Sequence, residues 1–354
     1  MAELLMTEQV TIAASALIRV FGMATLSFVI AMLWTPILTD LLYKYRLGKR
    51  IRETSITGER AKYFWKFHKE KANTPTMGGL LVWITTAVLT LLFNLSREGT
   101  WLPVFALVAT GVVGAVDDLL NVYGVGPHSG GFRFRDKLVI YLLIALAGAW
   151  WFALKLDWIH RGIHLPGVGD FTLGWWYAAL FTLVVVATAF AVDVTDGLDG
   201  LSGGLLAIAF GAYALIALLQ GQLAIAVFCG TIVGALLAFL WFNIYPARFF
   251  MGDTGVIALG STLAVIAFLT NQVAALPIIG SVFFIEAASS VGQIISKRIL
   301  QRKILLSAPL HHHFQAKGWP EPKIVMRFWV IGAVMAVMGV VVALFGRSGS
   351  SMPF

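Results

Sequence analysis

Apolar residues follow one another along this chain in long blocks, without the short alternation that a soluble fold shows. Each block is about 20 residues long, the length that an α-helix needs to cross the hydrocarbon core of a bilayer. Because backbone in lipid must satisfy its own hydrogen bonds, unbroken apolar blocks of this length predict membrane-spanning helices. Ten spans are predicted, at about 15–41, 77–94, 102–121, 138–155, 174–193, 201–219, 223–243, 255–270, 273–296 and 328–346.

The composition supports the same fold class. Of the 354 residues, 59% are hydrophobic and 12% are charged, whereas a soluble domain carries about 25% charged residues. No interval between the apolar blocks is long enough for a soluble domain. We therefore expect an all-α polytopic membrane protein with a single integral membrane domain over residues 1–354. The one cysteine, Cys229, lies in an apolar block, so no internal disulfide is expected.

The basic residues are distributed unevenly between the two sets of loops that ten spans create. Loops 42–76 and 297–327 hold most of the positive charge, and the odd-numbered loops together contain 21 of the 26 Lys and Arg residues. By the positive-inside rule these loops are cytoplasmic, and both termini are periplasmic. The net charge of +8 could also attract anionic lipid or phosphate groups. Nucleic acid is not an expected partner, because the basic residues flank the spans.

Polar side chains that stand out in so apolar a chain gather at the ends of the predicted spans. In the ten-span topology they all reach the cytoplasmic face, which predicts one shared site there. They are Lys71, Thr76, Asp117, Asp118, Asp193, Asp196, Asp199, Asp253, His311, His312 and His313.

Six aspartates converging at one membrane face would repel one another unless a cation lay between them. Sites made of one or two carboxylates completed by substrate phosphates are typical of Mg²⁺. One of the adjacent Asp117 and Asp118 is a candidate general base. The glycines of TDGLDGL (195–201) and MGDTG (251–255) would let backbone approach a ligand closely. Phosphoryl transfer needs this set of metal, cations and positioning groups.

Simpler interpretations remain open at the level of pattern. An Asp pair at a helix end is also typical of the water boundary, and Asp196 also suits a helix N-terminus. The basic run 42–71 is typical of a topology determinant, from which Lys71 stands apart because it adjoins TPTMGG. Three adjacent histidines suggest zinc, but no Cys or second His cluster accompanies them. Glu286, within the ninth span, either pairs with a neighbouring helix or serves the site.

Five segments occur in an order that is similar to one known family. They are KANTPTMGG (71–79), VDDL (116–119), TDGLDGL (195–201), FLWFNIYPARFFMGDTG (239–255) and APLHHHFQAKGWPEPKIVMRFW (308–329). The chain thereby resembles the phospho-N-acetylmuramoyl-pentapeptide transferases, which belong to the polyprenyl-phosphate sugar-1-phosphate transferases. The resemblance covers nearly the whole chain.

The resemblance implies a Mg²⁺-dependent phosphoglycosyl transferase of the bacterial inner membrane. Its substrates would be UDP-MurNAc-pentapeptide and undecaprenyl phosphate, and its products lipid I and UMP, in peptidoglycan synthesis. The family is dimeric, and its ninth membrane helix is bent. The alternative within the superfamily is a transferase of GlcNAc-1-phosphate, against which the PLHHHFQAKGWPEP segment argues. A secondary transporter is the alternative from another class, but transporters place their polar groups near the bilayer midplane.

The resemblance also implies roles for individual residues. Asp253 resembles the metal ligand, and Asp117 and Asp118 the essential aspartate pair, with Asp117 favoured as the base that deprotonates the lipid phosphate. The catalytic residues implied are Asp117, Asp118, Asp253 and His311. The substrate-binding residues implied are Lys71, Thr76, Lys137, Asp196, Asp199, Asn243, Phe250 and His312, of which Lys71, Asp199, Asn243 and Phe250 resemble a uridine pocket.

Two positions depart from the family pattern. Phe190 and Asp193 stand where the family usually has asparagines, so no binding role is carried over to either. The negative charge of Asp193 could change the affinity for metal.

Overall fold

A computed structural model describes residues 2–48, 71, 74–126, 130–155 and 162–345, with side chains from residue 13 onward except at 134, 152, 154 and 155. Helices dominate these residues. They are α1 (Ala2–Lys44), α2 (Gly79–Phe93), α3 (Trp101–Tyr123), α4 (Phe134–Lys155), α5 (Trp176–Thr195), α6 (Leu201–Leu219), α7 (Leu223–Asn243), α8 (Asp253–Leu269), α9 (Leu276–Ile279), α10 (Ser281–Ile299), α11 (Leu310–Ala316) and α12 (Glu321–Leu344).

Each of the ten predicted spans coincides with helix, so the helical, multi-pass membrane class is confirmed. Among the described residues, six helices are long and apolar enough to cross a membrane, and the bent pair α9 and α10 makes a seventh. Helices α2 and α8, with 15 and 17 residues, fall short of the about 20 residues that a bilayer requires. The ten-span count and the positions of the termini stay predictions. Most of the basic loop, 49–70, lies outside the described residues.

Helix α8 forms the centre of the bundle, and every residue from Thr254 to Leu269 is buried. A helix that is apolar on all sides belongs in the interior. Small residues bring its neighbours close, as is typical of helix packing in membranes. A Cβ atom at Gly114 of α3 would lie 2.6 Å from the carbonyl carbon of Asp253, and one at Gly260 would lie 2.8 Å from Ala189 Cα of α5. The site aspartates at these helix ends are therefore held by backbone packing.

The ninth apolar block is broken at Gly280. A 3₁₀ turn (Val273–Ala275) and α9 precede the break, and α10 leaves it at an angle of 77°. The bend that the family resemblance implies is therefore present. It lets α10 run toward α11, which carries the adjacent histidines, and the two helices contact each other.

A small β-hairpin separates α4 from α5 and departs from the all-helical prediction. Strand β1 (Ile163–Leu165) pairs antiparallel with β2 (Gly169–Phe171), and Ile163 lies opposite Phe171. Gly167 and Gly169 adopt positive φ angles of 77° and 118°, which glycine allows without strain. The sequence LPGVGDF contains these turn residues, but two three-residue strands leave no periodic pattern.

Candidate active site

All of the predicted site residues lie at one end of the helix bundle. Asp117, Asp118, Asp196 and Asn243 are at or beside the carboxyl ends of helices, and Lys137 and Asp253 are in the first turns of theirs. The common location follows from the up-and-down connectivity, because alternate helix ends meet at the same face of the bundle. The convergence predicted from sequence is therefore found in the fold.

Lys137 connects two of the predicted catalytic aspartates. Its Nζ lies 2.5 Å from Asp117 Oδ2 and also contacts Asp253 Oδ2. Asp117 is fully buried, and its Oδ1 accepts the Phe132 N–H at 2.6 Å, while Asn121 Nδ2 donates to Oδ2 at 3.0 Å. The ends of α3, α4 and α8 thus share one charged cluster, in which a cation lies between two carboxylates.

Asp118 faces the other side of the α8 N-terminus. Its Oδ2 accepts the Thr254 N–H at 3.1 Å, so it satisfies one of the free amides of the first turn. Gly252, with φ of 72°, lies between Asp118 and Thr76, because a Cβ there would be 2.5 Å from both side-chain oxygens. Thr76 Oγ1 is buried and has no hydrogen-bond partner among the described residues. Asp118 and Thr76 are therefore neighbours across a position that requires glycine.

The TPTMGG segment is held against the loop that precedes α8. Phe250 donates its N–H to Pro75 O, Gly78 donates to Phe250 O and Gly79 donates to Met251 O, over 2.7–2.8 Å. The Cβ of any other residue at Gly78 or Gly79 would overlap the Phe249 ring or the Gly255 backbone. The TPTMGG segment and the loop before α8, about 170 positions apart in sequence, are thus joined by backbone hydrogen bonds.

A second charged cluster surrounds Lys71. Its Nζ lies 2.7 Å from Asp199 Oδ1 and 2.6 Å from Glu321 Oε1, and it lies 5.8 Å and 6.0 Å from the ring centres of Tyr245 and Phe250. The same Glu321 oxygen accepts the Asp199 N–H at 2.6 Å. A lysine between two carboxylates and two aromatic rings is suited to a planar polar ligand.

Asn243 connects the two loops that form this pocket. Its Oδ1 accepts the Gly200 N–H and its Nδ2 donates to Phe249 O, both at 2.9 Å. The side chain thus fixes the TDGLDGL loop against the loop before α8. Ala247 N–H adds a 3.0 Å bond to Asp199 Oδ2. Asn243 is buried in this arrangement, so its direct role is to shape the pocket.

His311 and His312 occupy buried positions in α11. His311 Nδ1 lies 3.0 Å from Glu286 Oε2, and His312 Nδ1 lies 2.8 Å from Gln315 Oε1. Burial lowers the pKa of His311 to about 3. Burial lowers the pKa of His312 well below its usual value, and the charges of His311 and Lys71 lower it further. Both rings are therefore neutral at physiological pH. His312 lies close enough to Lys71 for the two side chains to interact electrostatically.

The remaining predicted positions lie between these clusters. Asp196 accepts a short hydrogen bond from Ser202 Oγ, which caps the loop before α6. Asp193, one turn earlier, is close enough to interact electrostatically with Lys137. Phe190 is partly buried against the core. Arg135, two positions before Lys137, is exposed.

Among the described residues, no group of three or more His, Cys, Asp or Glu side chains converges as a ready metal site. Asp117 and Asp253 are two carboxylates that both contact Lys137. Their hard oxygen atoms suit Mg²⁺, which commonly takes one or two carboxylates and completes its shell with water and phosphate oxygens. Two carboxylates suit magnesium, whereas zinc sites usually include Cys or His ligands.

Glu321 is the site residue that the sequence did not single out. It lies in the GWPEP segment directly after Pro320, at the first position of α12. A glutamate there also suits a helix N-terminus, so the pattern alone gave it no special meaning. The sequence held one signal for Glu321: it is an acidic residue in the loop that also carries the adjacent histidines, at the predicted face of the site.

Comparison with known proteins agrees with this geometry. Residues 100–271 match the model of glycosyl transferase family 4, which is consistent with a transferase. Residues 71–81 match phospho-N-acetylmuramoyl-pentapeptide-transferase signature 1. The phospho-N-acetylmuramoyl-pentapeptide-transferase of Geobacillus thermodenitrificans is 37% identical over 345 residues, covering 96% of this chain and 100% of the relative. That of Chloroflexus aurantiacus is 38% identical over 347 residues, covering 94% and 92%. The chain belongs to the phospho-N-acetylmuramoyl-pentapeptide-transferase family.

Proposed function

We propose that this protein transfers phospho-MurNAc-pentapeptide from UDP-MurNAc-pentapeptide to undecaprenyl phosphate, forming lipid I and UMP for peptidoglycan synthesis. Similarity to two phospho-N-acetylmuramoyl-pentapeptide-transferases over nearly the full length of both chains supports these substrates. The observation that carries the chemistry is Lys137, which contacts both Asp117 and Asp253. Three helix ends thereby supply a proton acceptor, a metal ligand and a cation at one point.

In this reaction the β-phosphorus of the nucleotide-sugar exchanges its bond to the UMP oxygen for a bond to an oxygen of the lipid phosphate. Asp117 accepts the proton that the lipid phosphate gives up, and UMP leaves with the electron pair of the broken bond. General-base assistance of this kind is typically worth about 10²–10⁴-fold in rate. Lys137 is then free to turn from the carboxylates to the diphosphate, where its charge stabilises the transition state.

Asp253 would hold Mg²⁺, and Asp117 beside it would accept the proton. The ion would supply charge neutralisation at the transferring phosphoryl group. The carboxylates of the two residues already accommodate a positive charge between them, that of Lys137. Asp118 helps indirectly, because its bond to the Thr254 N–H keeps the first turn of α8 in place.

The cluster around Lys71 would bind the uridine. Phe250 and Tyr245 offer ring faces, and Asp199 and Lys71 offer charged hydrogen-bond partners to a planar base. His311 and His312 would face the sugar and its phosphate, since His312 lies within the electrostatic reach of Lys71. We further propose that the site faces the cytoplasm in a bacterial inner membrane, and that the protein acts as a homodimer.

The proposal is tested by UMP release from the protein purified in detergent with undecaprenyl phosphate and Mg²⁺. UDP-MurNAc-pentapeptide and UDP-GlcNAc are supplied in parallel, with and without EDTA. We expect release with the first nucleotide only, its loss in EDTA, and its recovery with Mg²⁺ or Mn²⁺ but not Zn²⁺. Full activity in EDTA would contradict the metal role, and preferential use of UDP-GlcNAc would contradict the substrate.

A further inference from the structure

Glu286 and His311 form a buried pair at the junction of α10 and α11. Both residues are fully buried, and His311 Nδ1 lies 3.0 Å from Glu286 Oε2. The backbone N–H of His311 also donates to this carboxyl group, at 3.1 Å from Oε1 and 3.3 Å from Oε2. One carboxyl group therefore holds both the ring and the main chain of the same histidine.

These contacts favour one position for the ring proton. Burial opposes ionisation of Glu286, whereas a backbone N–H that faces both oxygens favours the carboxylate, which only accepts hydrogen bonds. The ring nitrogen that meets this carboxylate must then be the donor. A neutral imidazole has one N–H, and the lowered pKa of His311 agrees with a neutral ring. With the proton on Nδ1, Nε2 is left as an acceptor.

Nε2 of His311 points toward the TDGLDGL loop. It is buried and has no hydrogen-bond partner among the described residues. A Cβ atom at Gly197 would overlap it, so glycine keeps the space beside the nitrogen open. Asp196 and Asp199, on either side of Gly197, belong to the predicted substrate-binding set. A buried acceptor without a partner beside such a loop indicates a ligand that donates a hydrogen bond.

We propose that Glu286 is a positioning residue that holds His311 in the tautomer with its proton on Nδ1. Nε2 then accepts a hydrogen bond from a hydroxyl or amide N–H of the sugar portion of the donor substrate. This inference rests on the proposed function for the identity of the substrate, whereas the tautomer itself is a property of the protein alone. Glu286 acts through His311 and touches no substrate.

A nearby contact provides the control for a merely structural role. Ser289, on the same helix, accepts the N–H of Leu310 at 3.0 Å, so it also ties α11 to α10 by a backbone hydrogen bond. It forms no hydrogen bond with the His311 ring. Ser289→Ala therefore removes a comparable tether and leaves the tautomer of His311 unchanged.

The test is ¹⁵N NMR of the full chain in detergent, labelled at histidine, with the His311 signal identified by its loss in His311→Gln. At neutral pH we expect protonated Nδ1 and unprotonated Nε2 in the wild type and in Ser289→Ala. In Glu286→Gln we expect the Nε2–H form to gain population. A second measurement compares kcat and KM for the nucleotide-sugar. By comparison with carboxylates that orient metal-bound histidines, we expect Glu286→Gln to lower kcat/KM by about 10–100-fold, whereas Ser289→Ala should change it by less.

A wild-type His311 with its proton on Nε2 would overturn the proposal, even if Glu286→Gln failed to fold. Equal losses in Glu286→Gln and Ser289→Ala would also overturn it, because a tether alone would then explain the effect. Failure of the proposed function would appear differently. The wild type would release no UMP, while the tautomer could still be read from the spectrum.

Discussion

Lys71 and Glu321 stand 250 positions apart in sequence, yet Lys71 Nζ donates to Glu321 Oε1 over 2.6 Å. The same oxygen accepts the Asp199 N–H. One carboxylate thus joins the segment before α2, the loop before α6 and the first turn of α12. Because Lys71 and Asp199 belong to the candidate nucleotide pocket, Glu321 gives the last helix a direct part in organising that pocket.

Replacing Glu321 by Gln should weaken the binding of the nucleotide-sugar. A neutral amide can still accept the Asp199 N–H but no longer neutralises Lys71. Hydrogen bonds to charged groups contribute about 1.5–3 kcal/mol, so we expect KM to rise by about tenfold with kcat little changed. Glu98→Gln, at an exposed position on the other side of the bundle, is the matched control. An unchanged KM in folded Glu321→Gln would remove Glu321 from the pocket.

Asp193 should prove dispensable, while Asp117 and Asp253 should not. Asp193→Asn keeps the shape and restores the amide that the family resemblance implies, so activity should stay within a few-fold. Asp117→Asn removes the proton acceptor, and we expect a loss of about 10²–10⁴-fold. Asp253→Asn removes a charged metal ligand and should be inactive. Each variant is checked by thermal unfolding and assayed for lipid I at saturating Mg²⁺.

Asp193 interacts electrostatically with Lys137, which contacts Asp117 and Asp253. The comparison therefore tests whether the charge of Asp193 matters to the site. If folded Asp193→Asn were as inactive as Asp253→Asn, the transfer of roles from the family would be wrong at this position. Asp193 would then act as a metal ligand particular to this sequence.

Much of this fold could be predicted because membrane helices are encoded locally. An apolar block of bilayer length predicts its helix without reference to partners, and polar residues at block ends predict the face on which α3 and α8 meet. Which distant side chains pair with one another is decided by the tertiary structure. Glu321 gains its meaning only from Lys71, and Glu286 only from His311, 25 positions later. The hairpin at Ile163–Phe171 was missed because strands of three residues carry no detectable period.

The orientation of the bundle can be tested with single cysteines. In a Cys229→Ala background, Gln301→Cys lies at the site end and Glu98→Cys at the opposite end, and both positions are exposed. The distribution of basic residues predicts that the 297–327 loop is cytoplasmic. An impermeant thiol reagent added to spheroplasts should therefore label Glu98→Cys and spare Gln301→Cys until the membrane is permeabilised. The reverse labelling pattern would contradict the predicted topology.

The contribution of His311 to stability should decrease as the pH falls, because His311 is buried in its neutral form. Its pKa is lowered to about 3 in the folded protein, whereas that of an unfolded histidine is about 6.5. The unfolded chain therefore binds the proton first as the pH drops below about 6.5. The stabilisation is complete above that pH and is lost progressively toward pH 3. His312 contributes in the same direction.

Thermal unfolding in detergent measures this effect. Between pH 7.5 and 5.5 we expect the Tm of the wild type to fall by roughly 2 °C more than that of His311→Asn. His313→Asn is the control, since its ring is more exposed and its replacement should change the dependence less. Equal pH dependence of Tm in the wild type and His311→Asn would show that burial of the neutral ring is not linked to folding.

The reaction transfers a sugar phosphate, and not a sugar, to a lipid phosphate. UDP-MurNAc-pentapeptide labelled with ³²P in its β-phosphate tests this most directly, with the purified protein, undecaprenyl phosphate and Mg²⁺. We predict that the label appears in the lipid product, that the nucleotide released is unlabelled UMP, and that Asp253→Asn transfers none. Recovery of the label in UDP, with unlabelled lipid, would contradict the account.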